Sequence, residues 1–319
     1  MPVDDGERRS RRVIHRRFGG PEVLEIVRRS IPRPAPGEVL VRVAAAGVNP
    51  VDWKIFSGEP MFEDYERTLP SGTGYDFSGT VIACGSDVDA ASWLGARVFG
   101  GRRFHAQADH LVIEPQHLAR VPDGLSMIVA GALNVVGRTA MASVRSQHIE
   151  SGDTVLVSGA AGGVGILSAQ LAARAGARVI GTASARNHDL LRGLGIDPIA
   201  YGTHLVHRLR ATAPKIDVVL DTVGHGTVDA ALALGVARER INTIADYPAR
   251  AAHGVQGIGG AEAGIPALTD IAARIARREI VLPLDSVHPL EGVRNAYARS
   301  IEGHASGKIV VVPDASLLE

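Results

Sequence analysis

Apolar positions fall into two textures along the chain. From Arg12 to about Gly131 they come as short, β-branched runs punctuated by glycine. Val39-Leu40-Val41-Arg42-Val43 follows the turn cluster Pro34-Ala35-Pro36-Gly37, and Thr80-Val81-Ile82-Ala83, Ala96-Arg97-Val98-Phe99 and His110-Leu111-Val112-Ile113 repeat the pattern. Short strands between glycine-rich turns predict an irregular, barrel-like β domain. The second texture starts near Ser126. An Ala-rich stretch, Ser126 to Gln147, predicts one or two helices. Beyond it, apolar-centred runs (Thr154 to Val157, Ala177 to Gly181, Asp217 to Asp221) alternate with predicted helices over Gly165 to Ala175, Asn187 to Gly193 and Pro266 to Arg278. Continuous apolar strands alternating with helices predict a parallel sheet covered on both faces. The final run, Lys308 to Val312, matches the first texture. Met1 to Arg12 is polar and without period, and is expected to be a loose tail.

Length and composition narrow the function. At 319 residues the chain exceeds what one core usually supports, so two domains are expected. Its 34 basic and 34 acidic residues balance, so no field recruits nucleic acid or an anionic membrane. No apolar run is long enough to span a bilayer and no signal-peptide pattern opens the chain, so a cytoplasmic protein is expected. The single cysteine, Cys84, excludes an internal disulfide and a four-cysteine zinc site. His105 and His110 lie too far apart on a strand to share one metal. Almost every basic residue is arginine; the lysines are Lys54, Lys215 and Lys308.

One segment carries recognisable chemistry. The strand ending at Val157 runs into Ser158-Gly159-Ala160-Ala161-Gly162-Gly163-Val164-Gly165, which opens a helix. A strand, a glycine-rich turn and a helix N-terminus together make a dinucleotide site, because backbone N–H groups can approach a pyrophosphate and the helix dipole favours it. Ala160 stands where the first glycine is usual; Gly162 would allow close approach, and Gly165 would let the helix pack on the strand. The end of the next strand, Gly181 to Arg186, holds no acid to bond a ribose 2′-hydroxyl. Ser184 and Arg186 can instead bond a 2′-phosphate, which predicts NADPH over NADH.

With these segments in place, the sequence resembles the medium-chain dehydrogenase/reductase superfamily, in its zinc-independent quinone oxidoreductase branch. The resemblance rests on Ala45 to Lys54, Gly74 to Gly79, Gly95 to Gly100, Gly137 to Ala140, Gly159 to Gly165 and Gly307-Lys308, and runs through nearly all the chain after the tail. It implies an α/β protein in which a GroES-like β-barrel domain (13–130 plus 283–319) faces a Rossmann domain with a doubly wound parallel sheet (131–282). The superfamily's zinc alcohol dehydrogenases place a Cys ligand where Asn49 stands and a His-Glu pair where Tyr75-Asp76 stands. Neither zinc ligand is present, and no metal is expected.

The resemblance places Asn49, Asp52 and Lys54 on a wall near nicotinamide or substrate; Tyr65 and Tyr75 are the phenols that could supply a proton, as water could. It places Thr139 and Ile244 near the nicotinamide, Tyr201 near the adenosine phosphate, and Asp221, Thr222, Val223 and Gly224 under the cofactor ribose. Gly307 and Lys308 are expected to reach the cofactor from the other domain. Arg138, Val236 to Arg240 and Ile258 to Glu262 depart from the family pattern. Without zinc to polarise a simple carbonyl, the acceptor must be conjugated. A quinone reductase is the first reading, an enoyl or enone reductase the second, and a non-catalytic NADPH sensor the third. A homodimer through the Rossmann sheet edge is implied by the family.

Overall fold

The computed structural model describes residues 9–62 and 68–318. The chain divides into two compact units, Met1–Val135 with Leu284–Glu319, and Val136–Pro283. Among the described residues, no helix is long and apolar enough to cross a membrane.

The first unit is built from β1 (Arg9–His15), β2 (Leu24–Ser30), β3 (Val39–Val48), β4 (Ser71–Gly72), β5 (Asp76–Cys84), β6 (Arg97–Gly101), β7 (His110–Ile113) and β8 (Leu118–Arg120). The second contributes β9 (Thr154–Val157), β10 (Arg178–Thr182), β11 (Asp197–Ile199), β12 (Val218–Asp221) and β13 (Ile241–Thr243), after which the chain returns to the first unit as β14 (Leu284–Pro289) and β15 (Lys308–Val312).

β3 organises the first unit. Its first residues pair with β7 and its last with β15, while β5 runs along most of its length. Register shifts against β5 at Leu40/Val41 and Val43/Ala45 bend the strand, as an extra residue in one strand does. The bend lets one strand serve both ends of the sheet order β14-β15-β3-β5-β6-β8. Val39, Val41, Val43, Phe77, Val98 and Ile113 fill one core; Val13, Leu24, Phe56, Tyr297 and Val311 fill another. The Phe56 and Tyr297 rings meet edge to face at 4.9 Å, an arrangement their quadrupoles favour.

The expected loose tail is corrected in part. Residues 1–8 lie outside the described residues, but Arg9 to Arg12 are strand, paired in register with β2 from Arg9↔Ser30 to His15↔Leu24. Polar residues form this strand because distant groups satisfy them. The Arg11 guanidinium bonds Asp109 at 2.8 Å, and the Arg11 N–H donates to the same carboxylate at 2.6 Å. A period-based reading cannot see such partners.

The second unit is a five-stranded parallel sheet in the order β11-β10-β9-β12-β13. Val155, Val157, Val179 and Leu220 pack on one face, and Leu156, Ile180, Val219 and Ile241 on the other. This doubly wound arrangement explains the unbroken apolar strands. The Ala-rich stretch resolves into helices Met127–Ala130 and Asn134–Ser146, and the helix after the glycine turn spans Gly163–Arg174. Beyond β13, Thr243 N donates to Gln256 O and Gln256 N to Ile241 O, both at 3.0 Å, so Gln256 bridges Asn242 at the outer edge of the sheet.

At the C-terminal return, Asp285 accepts both Arg299 Nε and Nη2 at 2.9 Å and Ser306 N at 2.8 Å. Burial pushes the Asp285 carboxyl up, and the Arg299 and Ser306 bonds outweigh it, leaving it below its ordinary value. A depressed carboxyl contributes stability that is present above its unfolded pKa and is lost as pH falls through the folded one. Asp285→Asn is therefore expected to cost roughly 1–3 kcal/mol at pH 7, and less in acid. Denaturant melts at pH 7 and pH 3 check this; equal losses at both would show that the charge does not matter.

Candidate cofactor and active site

The turn after β9 is shaped by contacts that exclude side chains. Gly159 sits at φ +60°, where a Cβ would lie 2.5 Å from Val223 Cγ1. A Cβ on Gly165 would lie 2.2 Å from the Gly159 carbonyl oxygen, so only hydrogen fits where the helix crosses the turn. Gly162 caps the helix in extended conformation, and its Cβ would stand 3.3 Å from the same oxygen. Of these three, Gly159 and Gly165 are required by packing alone. Ala160 is fully buried, its N–H donating to Thr182 O at 2.9 Å, and a Cβ on Gly181 would strike its methyl. It packs into the sheet and does not face outward. The first helical bond is Ile166 N to Gly162 O, which leaves the amides of Gly163, Val164 and Gly165 as first-turn donors.

Asp221, expected under a ribose, is instead an internal brace. It is 1% exposed. Its Oδ1 accepts Ser158 Oγ at 2.5 Å and Gly224 N at 2.9 Å, and its Oδ2 accepts Thr243 Oγ1 at 2.6 Å. The Thr222 N–H and hydroxyl bond back to Ser158, and Ile244 N donates to Asp221 O. One carboxylate thus ties the C-terminal ends of β9, β12 and β13 together, and its lone pairs are spent on that. Val223 is left 45% exposed above Gly159. At the end of β10, Ser184 caps the turn Ala185–Asn187 with Arg186 exposed in it, and Tyr201, beyond β11, is 53% exposed. Thr139 is buried, its hydroxyl 3.0 Å from where a Cβ on Gly260 would stand. Arg138, an unusual residue for its place, donates to Ala263 O and so holds the glycine-rich segment that also departs from pattern.

The first unit has a buried polar centre. Asn49 ends β3's connection into the helix Pro50–Ser57, and the Asp52 carboxylate turns back to accept the Asn49 N–H at 2.8 Å, as a capping residue does. Asn49 Nδ2 donates to Asp76 Oδ2 at 3.0 Å, and Asn49 Oδ1 accepts Lys308 Nζ at 2.5 Å. Lys308 Nζ also donates to Val48 O at 2.8 Å and stands 3.8 Å from Asp76 Oδ2. Asp76 Oδ1 accepts Val135 N at 2.9 Å and Asn134 Nδ2 at 3.2 Å, which is why those two residues belong to the first unit. Burial, then the Asp76 charge, raises the Asp52 carboxyl to about 7. Burial lowers the Lys308 ammonium against the pull of Asp76 and Asp52.

Residues 35–123 match the alcohol dehydrogenase GroES-like domain and residues 194–311 the zinc-binding dehydrogenase family. The chain is 33% identical over 222 residues to a 2-methylene-furan-3-one reductase of Solanum lycopersicum, across 66% of this chain and 56% of that protein. It therefore spans little more than half of that relative's length. A quinone oxidoreductase structure from Coxiella burnetii superposes with a TM-score of 0.88 at 28% identity, covering 96% of this chain and 100% of that one. A mycobacterial protein solved in complex with NADPH gives 0.82 at 28%, over 95% and 100%. The chain belongs to the medium-chain dehydrogenase/reductase superfamily, in its quinone oxidoreductase branch.

In this dehydrogenase/reductase the expected site residues separate into two groups. Asn49 is 0% exposed and Asp52 8%, with the Asn49 amide spent on Asp76 and Lys308. Both are buried, with their polar groups spent on internal bonds. Lys308, expected at a cofactor, is 3% exposed and turned into the same centre, and Gly307 supplies the φ +85° turn before it. The reason is electrostatic: a buried carboxylate needs a partner, and the ammonium supplies it. Half-buried Lys54 has its Nζ 5.7 Å from the Trp53 ring centroid and no bond to Asn49, Asp52 or Asp76. Tyr75 is half-buried with the Arg103 guanidinium 5.4 Å from its ring. Tyr65 lies outside the described residues. Sequence reasoning missed Asn134 and the bracing parts of Ser158, Thr182 and Thr243; only the acid in Gly74-Tyr75-Asp76 signalled a buried network needing partners. Among the described residues, no group of three or more His, Cys, Asp or Glu could hold a metal ion.

The Asp52 value carries a sign. A carboxyl raised to about 7 from 3.8 keeps its proton in the folded state while the unfolded chain releases it. Native stability therefore falls as pH rises through the interval between them, and the whole penalty is present above it. Asp52→Asn keeps an oxygen for the Asn49 N–H and removes the penalty. The variant is expected to gain on the wild type between pH 5 and pH 8, by roughly 2–4 kcal/mol at most. Melting temperatures of both proteins across that range test it; parallel curves would refute it.

Proposed function

We propose that this protein is a zinc-independent, NADPH-dependent reductase that passes a hydride to a conjugated carbonyl, a quinone in the first reading. The observation that carries the proposal is a glycine turn with no room for a Cβ at Gly159 or Gly165 and with three first-turn amides, in a chain whose other polar centre is built around an ammonium. NADPH is favoured because Ala183 to Arg186 offers a hydroxyl and a guanidinium and no carboxylate. The likeness to a structure solved with NADPH supports the same choice. The amides of Gly163, Val164 and Gly165 would hold the pyrophosphate, with the exposed Val223 and Tyr201 side chains as apolar cover beside them. When bound, the dihydronicotinamide supplies the hydride.

Zinc suits this chain poorly. The oxygens of Asn49 and Asp76 already face the Lys308 ammonium, and a divalent ion would have to enter beside that charge. Without a Lewis acid, the acceptor must spread the incoming charge itself, as quinones and enones do. The chain then contributes orientation and hydrogen bonding. Asn49, Asp52, Asp76 and Lys308 fix the wall, while half-buried Tyr75 and Lys54 are the side chains left to meet an acceptor, with Tyr75 or water returning the proton. An enone reductase is the second reading, favoured by the likeness to the tomato enzyme. The chain would pair with a second copy along Val255 to Ile258, the outermost segment of the parallel sheet, which sedimentation equilibrium would test.

The test is NADPH oxidation with 1,4-benzoquinone, phenanthrenequinone, 2-cyclohexenone and a 2-alkenal. Quinone turnover that survives a chelator, with NADPH favoured over NADH, is expected. Arg186→Ala should raise the NADPH KM about tenfold, the worth of one charge-assisted bond, and leave that for NADH unchanged. Enone turnover alone would select the second reading. Tight NADPH binding without any turnover would point to a sensor, and activity lost on chelation would sink the proposal.

A further inference from the structure

A cluster in the first unit serves neither the glycine turn nor the polar centre. β1 and β2 pair with Ser10 opposite Arg29 and Arg12 opposite Val27, which sets Arg12 and Arg29 diagonally on one face. Arg12 lies across Gly72, where a Cβ would stand 2.4 Å from its Nη2 and 2.8 Å from its Nε. Its Nη2 donates to Phe104 O at 2.9 Å, and its Nε is buried with no hydrogen-bond partner among the described residues. Phe104, at φ +66°, turns the loop that follows β6, in which His105 N donates to Arg102 O at 3.1 Å.

Among the described residues, Arg12, Arg29 and Arg102 make no ion pair, whereas Arg11 on the opposite face of β1 is paired with both Asp109 and Glu291. Burial, then the Arg29 charge, lowers Arg12 from its ordinary value. Burial also lowers His105, with Arg12, Arg102 and Arg29 adding to it. Two exposed arginines would ordinarily be solvated surface charges. A third, half-buried beside them with an orphaned Nε, is not explained that way, since an unmet buried donor costs about 1–3 kcal/mol. An anion with several oxygens would meet that donor and neutralise the field, and a guanidinium fork matches phosphate. The loop also adjoins the side chains left for the acceptor: Arg102 N donates to Tyr75 O at 2.9 Å, and Gly101 pairs with Asp76.

We propose that Arg12, Arg29 and Arg102 form a phosphate subsite for the acceptor, so that the physiological acceptor is a conjugated carbonyl linked to a phosphate-bearing handle. This rests on the reductase reading above. The handle can be a coenzyme or a carrier-bound group; the shared chemistry is a phosphate held at a distance from the reacting double bond.

Two acceptors with the same reacting group separate the subsite from the reaction: crotonyl-coenzyme A, and the neutral N-acetylcysteamine thioester of crotonate. In the double variant Arg29→Ala/Arg102→Ala, both changed side chains are exposed, so the fold and the reaction should persist. The KM for crotonyl-coenzyme A is expected to rise about 10–50-fold, and that for the neutral thioester to change less than about twofold. Equal shifts for the two acceptors, or no shift, would overturn the subsite. If neither thioester is reduced, the reductase reading is what suffers, and calorimetry with inorganic pyrophosphate still decides the subsite. Binding lost in the double variant but kept in Arg186→Ala supports it. Binding unchanged in the double variant, or an adventitious ion only at high concentration, overturns it.

Discussion

The structure of the first unit depends on one buried ammonium. Lys308 lies at the start of β15, yet its Nζ bonds the end of β3 through Val48 and Asn49 and faces Asp76 on β5. Removing an ion from water is costly, and the cost is met only when every lone pair and proton finds a partner. Here Asp76 is met by Asn49, Asn134, Val135 and Lys308, and Asn49 is locked at both ends of its amide. The C-terminal strand, the central strand and the entrance to the helix Pro50–Ser57 are thereby held at one point. Burial, with the neighbouring Asp76, is why the Asp52 carboxyl resists ionisation.

The second unit solves a similar problem with one carboxylate and no cation. Asp221 gathers hydroxyls and amides from the ends of three parallel strands. Those ends are where a doubly wound sheet presents its ligand crevice. The brace holds Thr222 and Val223 against the glycine turn, and the turn in turn tolerates no Cβ at Gly159 or Gly165. Rigidity is what lets bare amides act as an anion site, because donors already aimed need no reorganisation on binding. In both units, then, buried polar residues hold the ends of strands in place.

Much of this was legible in particular residues. The apolar runs of β9, β10 and β12 announced a covered parallel sheet, and Gly159 to Gly165 announced the turn between β9 and its helix. The missing acid after β10 needed no structure to be seen. The direction of Lys308 was not legible, because Val48 stands 260 residues away in sequence. Nor was the strand character of Arg9 to Arg12, where Arg11 is met by Asp109, 98 residues away.

By itself, the sequence determined the periodicity of each element, the two-part architecture and the chemistry open to the glycine turn, since these depend on neighbours a few residues apart. Tertiary structure alone decided which polar groups face inward. Asn49, Asp52, Asp221 and Lys308 became supports, and Arg12 and Arg29 came to share one face of the β1–β2 pair. Burial and charge pairing act through space, and a side chain's partners are fixed only when distant strands meet.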